Sequence, residues 1–169
     1  MNRDELRAVQ VPLKERYRDD PRAALITLAA EGSLGVGVTC SVANGRALAA
    51  AGLHPSSGGD GSTLCSGDML LEALVACAGV TLRAVATSLG ISVAGGRVLA
   101  EGDLDFRGTL GVDREAPVGF SAIRLSFELD SEADGEQLET LLRLTERYCV
   151  VFQTLASGPA LSVGRAPGS

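Results

Sequence analysis

The chain has a single histidine, no tryptophan and no two cysteines in CxxC spacing. With His54 as the only imidazole, an HExxH helix and a histidine-rich metal centre are excluded, and a Ser-His-Asp triad within one subunit nearly so. The four cysteines, Cys40, Cys65, Cys77 and Cys149, are too widely spaced for a four-thiolate zinc site. An even cysteine count does not by itself make a disulfide framework in a chain this long. No metal or organic cofactor is therefore expected. Aromatics are scarce at 4%, so a core must be built mostly of Ala, Val and Leu. Basic residues are outnumbered, 15 against 21 acidic, for a net charge of -6, which argues against a nucleic-acid footprint and against a polybasic membrane patch. No run of eighteen apolar residues is free of charge, and MNRDELRAVQVPLKERYRDDP is too charged for a signal peptide. The expected setting is the cytoplasm, with neither membrane nor nucleic acid as partner.

What is present is one α+β domain's worth of chain, 169 residues with 46% hydrophobic content. Residues 1–21 read as an amino-terminal arm or short helix interrupted near Pro12, residues 22–164 as the domain, and residues 165–169 as a flexible tail. GVGVTCSV and RALAAAGL, separated by Asn44-Gly45, read as two strands of a tight hairpin. HPSSGGDGST is a loop. It leads into SGDMLLEALVACAGVTLRAVATSLG, a helix with Ser66 as N-cap, Asp68 in its first turn and Gly90 as its stop. Only Asp68, Glu72 and Arg83 carry charge there, so most faces of this helix require cover, from the fold or from a second subunit.

Beyond it, Gly95-Gly96 marks a turn, and the segments around it alternate as strands through EGDLDFRGTLGV. In FSAIRLSFELD, the residues Ile123, Leu125, Phe127 and Leu129 form an inward row. A second helix then runs from Leu138 through Cys149 to Leu155 and is ended by Pro159, with LSV as a short last strand.

Cys77 is the focus of any chemistry, sitting mid-helix among small residues behind a Gly-rich loop; the alternative is a core cysteine acting as a small hydrophobe. Cys149 lies on the matching stripe of the second helix. Two thiols on packed helices can cycle if their Cα atoms come within about 7 Å and their Cβ vectors converge. A thiolate attacks an O–O bond and becomes a sulfenic acid, which a second thiol resolves into a disulfide. An ordinary thiol is only slightly ionised near neutrality, so such a site needs a cation, a helix dipole or hydrogen-bond donors. Cys65 lies at the mouth of the helix, where exposed amides lower a thiol's pKa, and is a rival reactive thiol. His54 is a candidate proton carrier, weighed against a solvated loop histidine. Arg107 is a candidate cation, weighed against the polar outer face of a strand shared with Asp103 and Asp105. Glu146 and Arg147 either orient the second thiol or form a helix-end ion pair. Cys40 reads as an inward strand residue.

The block CSGDMLLEALVACAGVTLRAVATSLG resembles the signature helix of the OsmC/Ohr family of thiol-dependent peroxidases and related proteins. That pattern has a Pro- or Gly-led start, Leu-Leu-x-Ala-Leu, and a small residue before the cysteine. TERYCVVFQTL resembles the family's second-cysteine motif, in which Cys is usually followed by Pro; here Val150 follows. The resemblance implies curved antiparallel sheets wrapped around two central helices in an intertwined homodimer, with sites at the subunit interface. It implies that Cys77 is peroxidatic and Cys149 resolving, and that a dithiol, either a lipoyl-bearing protein or a small thiol, regenerates the pair. The family's assisting Glu falls on Gly67 here, with Asp68 one place later, and its assisting Arg has Arg46 and Arg18 as the nearest basic candidates. The expected function is reduction of organic hydroperoxides, with hydrogen peroxide as a smaller substrate. The alternative is a non-enzymatic dimer that binds a small apolar ligand or acts in a stress response.

Overall fold

Short strands built from Ala, Val, Leu and Cys open the fold, followed by the long apolar helix and a two-stranded ribbon that lies against it. The computed structural model describes residues 2–5, 7, 8, 10, 11, 19, 31–34, 40–43, 48–111 and 113–165. Residues 3–5, 7, 8, 10 and 11 are helical, and the Glu5 amide donates to Asn2 Oδ1 at 2.9 Å.

Strands β1 (Glu31–Leu34), β2 (Cys40–Ala43), β3 (Leu48–Gly52) and β4 (Leu64–Cys65) form one sheet in that order. The predicted hairpin is present as the antiparallel β2–β3 pair, in which Ala43 faces Leu48. The Asn44-Gly45 turn itself and Arg46 lie outside the described residues. One expectation fails here, because the sheet is not antiparallel throughout. The connection over residues 53–63 carries the chain back, so that β4 pairs parallel to β3. That connection is not wholly irregular either: Pro55–Ser57 forms a 3-10 turn whose first amide is capped by His54, with Ser56 N–H donating to Nδ1 at 3.0 Å.

Helix α1 (Ser66–Leu89) has nearly the predicted span, but its N-cap is Cys65, one residue earlier than expected; Gly90 ends it in the left-handed conformation. Leu74, Ala78, Leu82 and Ala86 recur every four residues and are buried, while Leu70 and Leu89 at the ends of the apolar stripes are exposed. An 18-residue window of α1 has mean hydropathy 1.8, long and apolar enough by length and composition to cross a membrane. In this fold the helix packs against strand β5 and two later helices.

Strands β5 (Gly95–Leu104) and β6 (Phe120–Asp130) form an antiparallel ribbon whose inner face covers α1. Ile123, Leu125, Phe127 and Leu129 face inward as predicted, packed on the buried residues of α1. The expected Gly95-Gly96 turn is instead the start of β5. Gly96 has φ +150, and a Cβ there would stand 2.3 Å from the Glu128 carbonyl oxygen, so close strand approach is what calls for glycine. Strand alternation also stops earlier than predicted. Asp105 caps a short helix α2 (Phe106–Thr109) by accepting from the Arg107 N–H at 3.0 Å, which takes Asp105 and Arg107 off the strand.

The second long helix is two helices. Helix α3 (Gly135–Tyr148) stops at Cys149, whose extended backbone (φ -74, ψ 108) turns the chain before α4 (Val150–Ser157) begins. The helix ends at Gly158 rather than at Pro159, and residues 158–165 contain no strand, so the expected last strand over LSV is absent. At the start of α3, Asp134 accepts from Gln137 N–H at 2.8 Å and Gln137 accepts from Asp134 N–H at 3.2 Å, a reciprocal capping box. Asp134→Ala is expected to lower stability by about 1 kcal/mol, measured by urea unfolding, with the slope of the unfolding curve unchanged.

Candidate functional site

Cys77 lies half-buried on the face of α1 that meets the α3–α4 junction. It packs against the buried cluster of Leu74, Ala78 and Cys149, against which Val151 and Phe152 of α4 also pack. The extended backbone at Cys149 creates this arrangement. Had α3 run on as one helix, the amides after Cys149 would be consumed by carbonyls four residues earlier. Because the chain breaks, Val150 and Val151 enter the first turn of a new helix with N–H groups free of intrahelical acceptors. Those amides, with the dipole of α4 behind them, favour negative charge in front of the turn.

Cys77 packs against the buried cluster that contains Cys149 at this junction. Burial pushes its pKa upward, but hydrogen bonding to the Val151 amide, the Cys149 thiol, the Val150 amide and the Thr81 hydroxyl outweighs burial, and Cys77 is held below an ordinary thiol. Cys149 responds in the opposite sense. Burial raises its pKa, and the neighbouring Cys77 raises it further, by hydrogen bonding and by charge, against the partial offset of the Phe152 and Val151 amides. Of the two thiols, ionisation is therefore favoured at Cys77 and disfavoured at Cys149. Cys149 itself makes no side-chain cap bond to α4.

Two open grooves lie in this region, one lined by Cys149 and the other by Thr81. One of about 540 Å³ passes Cys149 between Arg147, Tyr148, Gln153 and Thr154. The other, about 610 Å³, passes Thr81 between Val80, Ala84, Val85 and Leu144. Tyr148 lines both. The rim is apolar and open to solvent in the single chain, with Val80 72% exposed and Val150 70% exposed.

The other candidates lie elsewhere in the chain. Asp68 is exposed in the first turn of α1, nine residues before Cys77, about 13 Å along the helix axis. Cys65 is farther, about 18 Å along the same axis, which puts a disulfide with Cys77 of the same chain out of reach. Arg107 is occupied by two carboxylates, Asp105 at 2.6 Å and Asp113 at 3.3 Å. His54 stacks on the Phe106 ring with centroids 5.1 Å apart, tying the 3-10 turn to α2. Asp103 pairs across the ribbon with Arg124, the polar outer strand face that its alternation implies. Arg147 lies over the ring of Tyr148, 5.7 Å from its centroid, rather than against Glu146. Arg18 and Arg46 lie outside the described residues. Cys40 opens β2.

Among the described residues no guanidinium acts on the Cys77 sulfur, and no group of three or more His, Cys, Asp or Glu side chains is gathered to hold a metal ion. The groups that sequence reasoning missed are Thr81 and the two amides. Thr81 follows Cys77 by four residues and so shares its helix face, a readable signal. The amides depend on the helix break, which the apolar spacing of Thr145, Cys149 and Phe152 conceals.

Residues 59–164 match the family model described as OsmC-like protein. None of the curated protein sequences matches the chain. Among solved structures, an OsmC-like protein from Mycoplasma pneumoniae is similar at 16% identity with a TM-score of 0.66, covering 79% of this chain and 89% of that one. The OsmC organic hydroperoxide resistance protein of Legionella pneumophila is similar at 17% identity and a TM-score of 0.62, covering 79% and 91%. A Vibrio cholerae protein described as a putative organic hydroperoxide resistance protein, with captopril bound in one of its active sites, is similar at 14% identity and 0.57, covering 79% and 88%. The family match spans well over half of the chain and includes both helix α1 with Cys77 and the α3–α4 junction with Cys149: this chain belongs to the OsmC-like protein family.

Proposed function

We propose that the protein is a thiol-dependent peroxidase that reduces organic hydroperoxides, and hydrogen peroxide as a smaller substrate, through Cys77 and Cys149. The observation that carries this reading is that Cys77 packs against the buried cluster that holds Cys149, with ionisation favoured at the first and disfavoured at the second. The Cys77 thiolate attacks the terminal oxygen of the O–O bond. An S–O bond forms, the O–O bond breaks, and the departing alkoxide takes a proton to become an alcohol. The sulfenic acid is then attacked by the Cys149 sulfur, an S–S bond forms, and water leaves. A dithiol, lipoyl-bearing or small, returns both sulfurs to thiols in a cytoplasmic setting.

Assembly as a homodimer fits this reading, because a second copy would cover the exposed apolar rim at Val80, Tyr148 and Val150 and exclude water from the sulfenic acid. Two of the similar structures are described as organic hydroperoxide resistance proteins, which supports the substrate class. A second reading, a dimer that binds an apolar ligand without chemistry, draws on the groove beside Val80 and Val85.

The two readings part on thiol counting. One equivalent of an alkyl hydroperoxide added to the reduced protein is expected to remove two free thiols, and peptide mapping is expected to find Cys77 joined to Cys149. Four free thiols in a folded protein after that treatment would leave only the binding reading.

A further inference from the structure

The groove of about 610 Å³ beside Thr81 has walls from three elements: α1, α3 and, through Gln10, the amino-terminal helix. Gln10 is half-buried, whereas Arg3, Asp4, Glu5, Arg7, Ala8 and Val11, the other described residues of that helix, are exposed. Its seat on the domain is therefore narrow. A helix this short is marginal in water by itself, so its helical form depends on the surface it lies against.

The groove has a chemistry of its own in so acidic a chain. Among the described residues that line it none is charged, and its walls on α1 and α3 are apolar apart from the hydroxyls of Thr81, Ser88 and Tyr148. A charged group entering it would lose water without meeting an opposite charge, whereas an uncharged apolar body with one hydrogen-bonding group would find partners for both its parts. Thr81 lies one helical turn beyond Cys77, so a molecule held here is beside the face of α1 that carries the thiol.

We propose that the amino-terminal helix is a lid on this groove, that Gln10 narrows the opening, and that the groove takes an uncharged, largely apolar small molecule. The helix lies outside residues 59–164, the span of the family match, and is an addition to that core. Seated, helix and groove support each other. Lifted, the helix loses its support and melts, and the groove opens to molecules too bulky to pass Gln10. Elements held by few buried side chains are the ones that open at least cost, which suits this one to act as a lid. The lid operates before any chemistry, so it holds for a peroxidase and for a binding protein alike.

The experiment places a thiol in the groove by Ala84→Cys, at a half-buried lining position of the full-length protein, and follows its alkylation by peptide mass so that the native cysteines are counted separately. Two uncharged reagents of the same chemistry are compared, N-ethylmaleimide and the bulkier N-(1-pyrenyl)maleimide. Ala8→Pro, at an exposed position that does not line the groove, removes a backbone donor from the middle of the helix and unseats it. With that change the pyrenyl reagent is expected to react at position 84 at least about tenfold faster, and N-ethylmaleimide less than about threefold faster. Gln10→Ala, which keeps the helix but shortens the side chain at the opening, is expected to accelerate the pyrenyl reagent alone. 2-Phenyl-2-propanol is expected to protect position 84 from both reagents, whereas benzoate, of similar size but charged, is expected to protect it from neither. Unchanged pyrenyl rates in both variants overturn the lid, and Gln10→Ala decides the matter if the proline variant fails to fold. Equal protection by benzoate and the alcohol, or protection by neither, overturns the ligand class. Absence of labelling at position 84 in every variant means that something other than this helix closes the groove, which also overturns the lid. No peroxide enters the assay, so a protein that labels as expected but does not consume hydroperoxide refutes the peroxidase reading and leaves the lid intact.

Discussion

Cys77→Ser is expected to bring hydroperoxide consumption down to the rate measured without protein, while Cys149→Ser consumes a first equivalent and then stops. The asymmetry follows from the order of steps. A hydroxyl has no accessible anion near neutrality, and the amides of α4 cannot compensate for the loss of the nucleophile. Without Cys149, the first sulfur still attacks, but its sulfenic acid has lost the thiol packed at this junction, and Cys65 is about 18 Å away along α1. The stalled acid is expected to be trapped by a sulfenic-specific reagent on Cys77 and, with excess peroxide, to advance to the sulfinic acid, both read by peptide mass. If Cys77→Ser retains steady consumption, Cys77 is not the attacking sulfur.

Leu141→Ala is expected to have the largest effect on stability, about 2–5 kcal/mol, without moving the thiols. Leu141 is fully buried against Leu82 and Ala86, between α1 and α3, in a part of the core separate from the cysteines. In a chain of this size each kcal/mol corresponds to roughly 2–4 °C, so the melting temperature should fall by several degrees. Leu74→Ala provides the contrast. It is 1% exposed but packs with Cys77, Ala78 and Cys149, so the same kind of cavity opens beside the sulfurs. A comparable loss of stability is expected there, together with a changed Cys77 titration. A cost below about 1 kcal/mol for Leu141→Ala in urea unfolding would mean that α1 and α3 are not held together by this core.

The parts of this molecule that depend on side-chain rhythm were legible from the sequence. The inward row of β6 follows from a period of two, and α1 follows from apolar spacing, a first-turn acid and a terminal glycine. The errors arose where backbone torsion departs from a rhythm that continues. Thr145, Cys149 and Phe152 maintain helical spacing across a junction where the helix stops, so no pattern of letters marks the break. Asp105 and Arg107 continue the alternation of β5, but the Asp105 side chain captures the Arg107 amide and turns the chain into a helix. Gly96 resembled a turn because glycine has two uses, and the one required here is close approach to the facing strand. Both cysteines were readable as candidates. Their shared surroundings were not, because they depend on the helix break at Cys149, where α4 begins and turns against α1.

The junction at Cys149 is a conformation of the chain, and a wide range of side chains can follow it. Sequence drift at Val150 therefore has a narrow set of consequences: most replacements preserve the N–H and with it the tuning of the first sulfur, whereas proline preserves the shape and removes only the donor. Val150 thus bears on the acidity of a thiol carried by another helix, through its main chain and not its side chain.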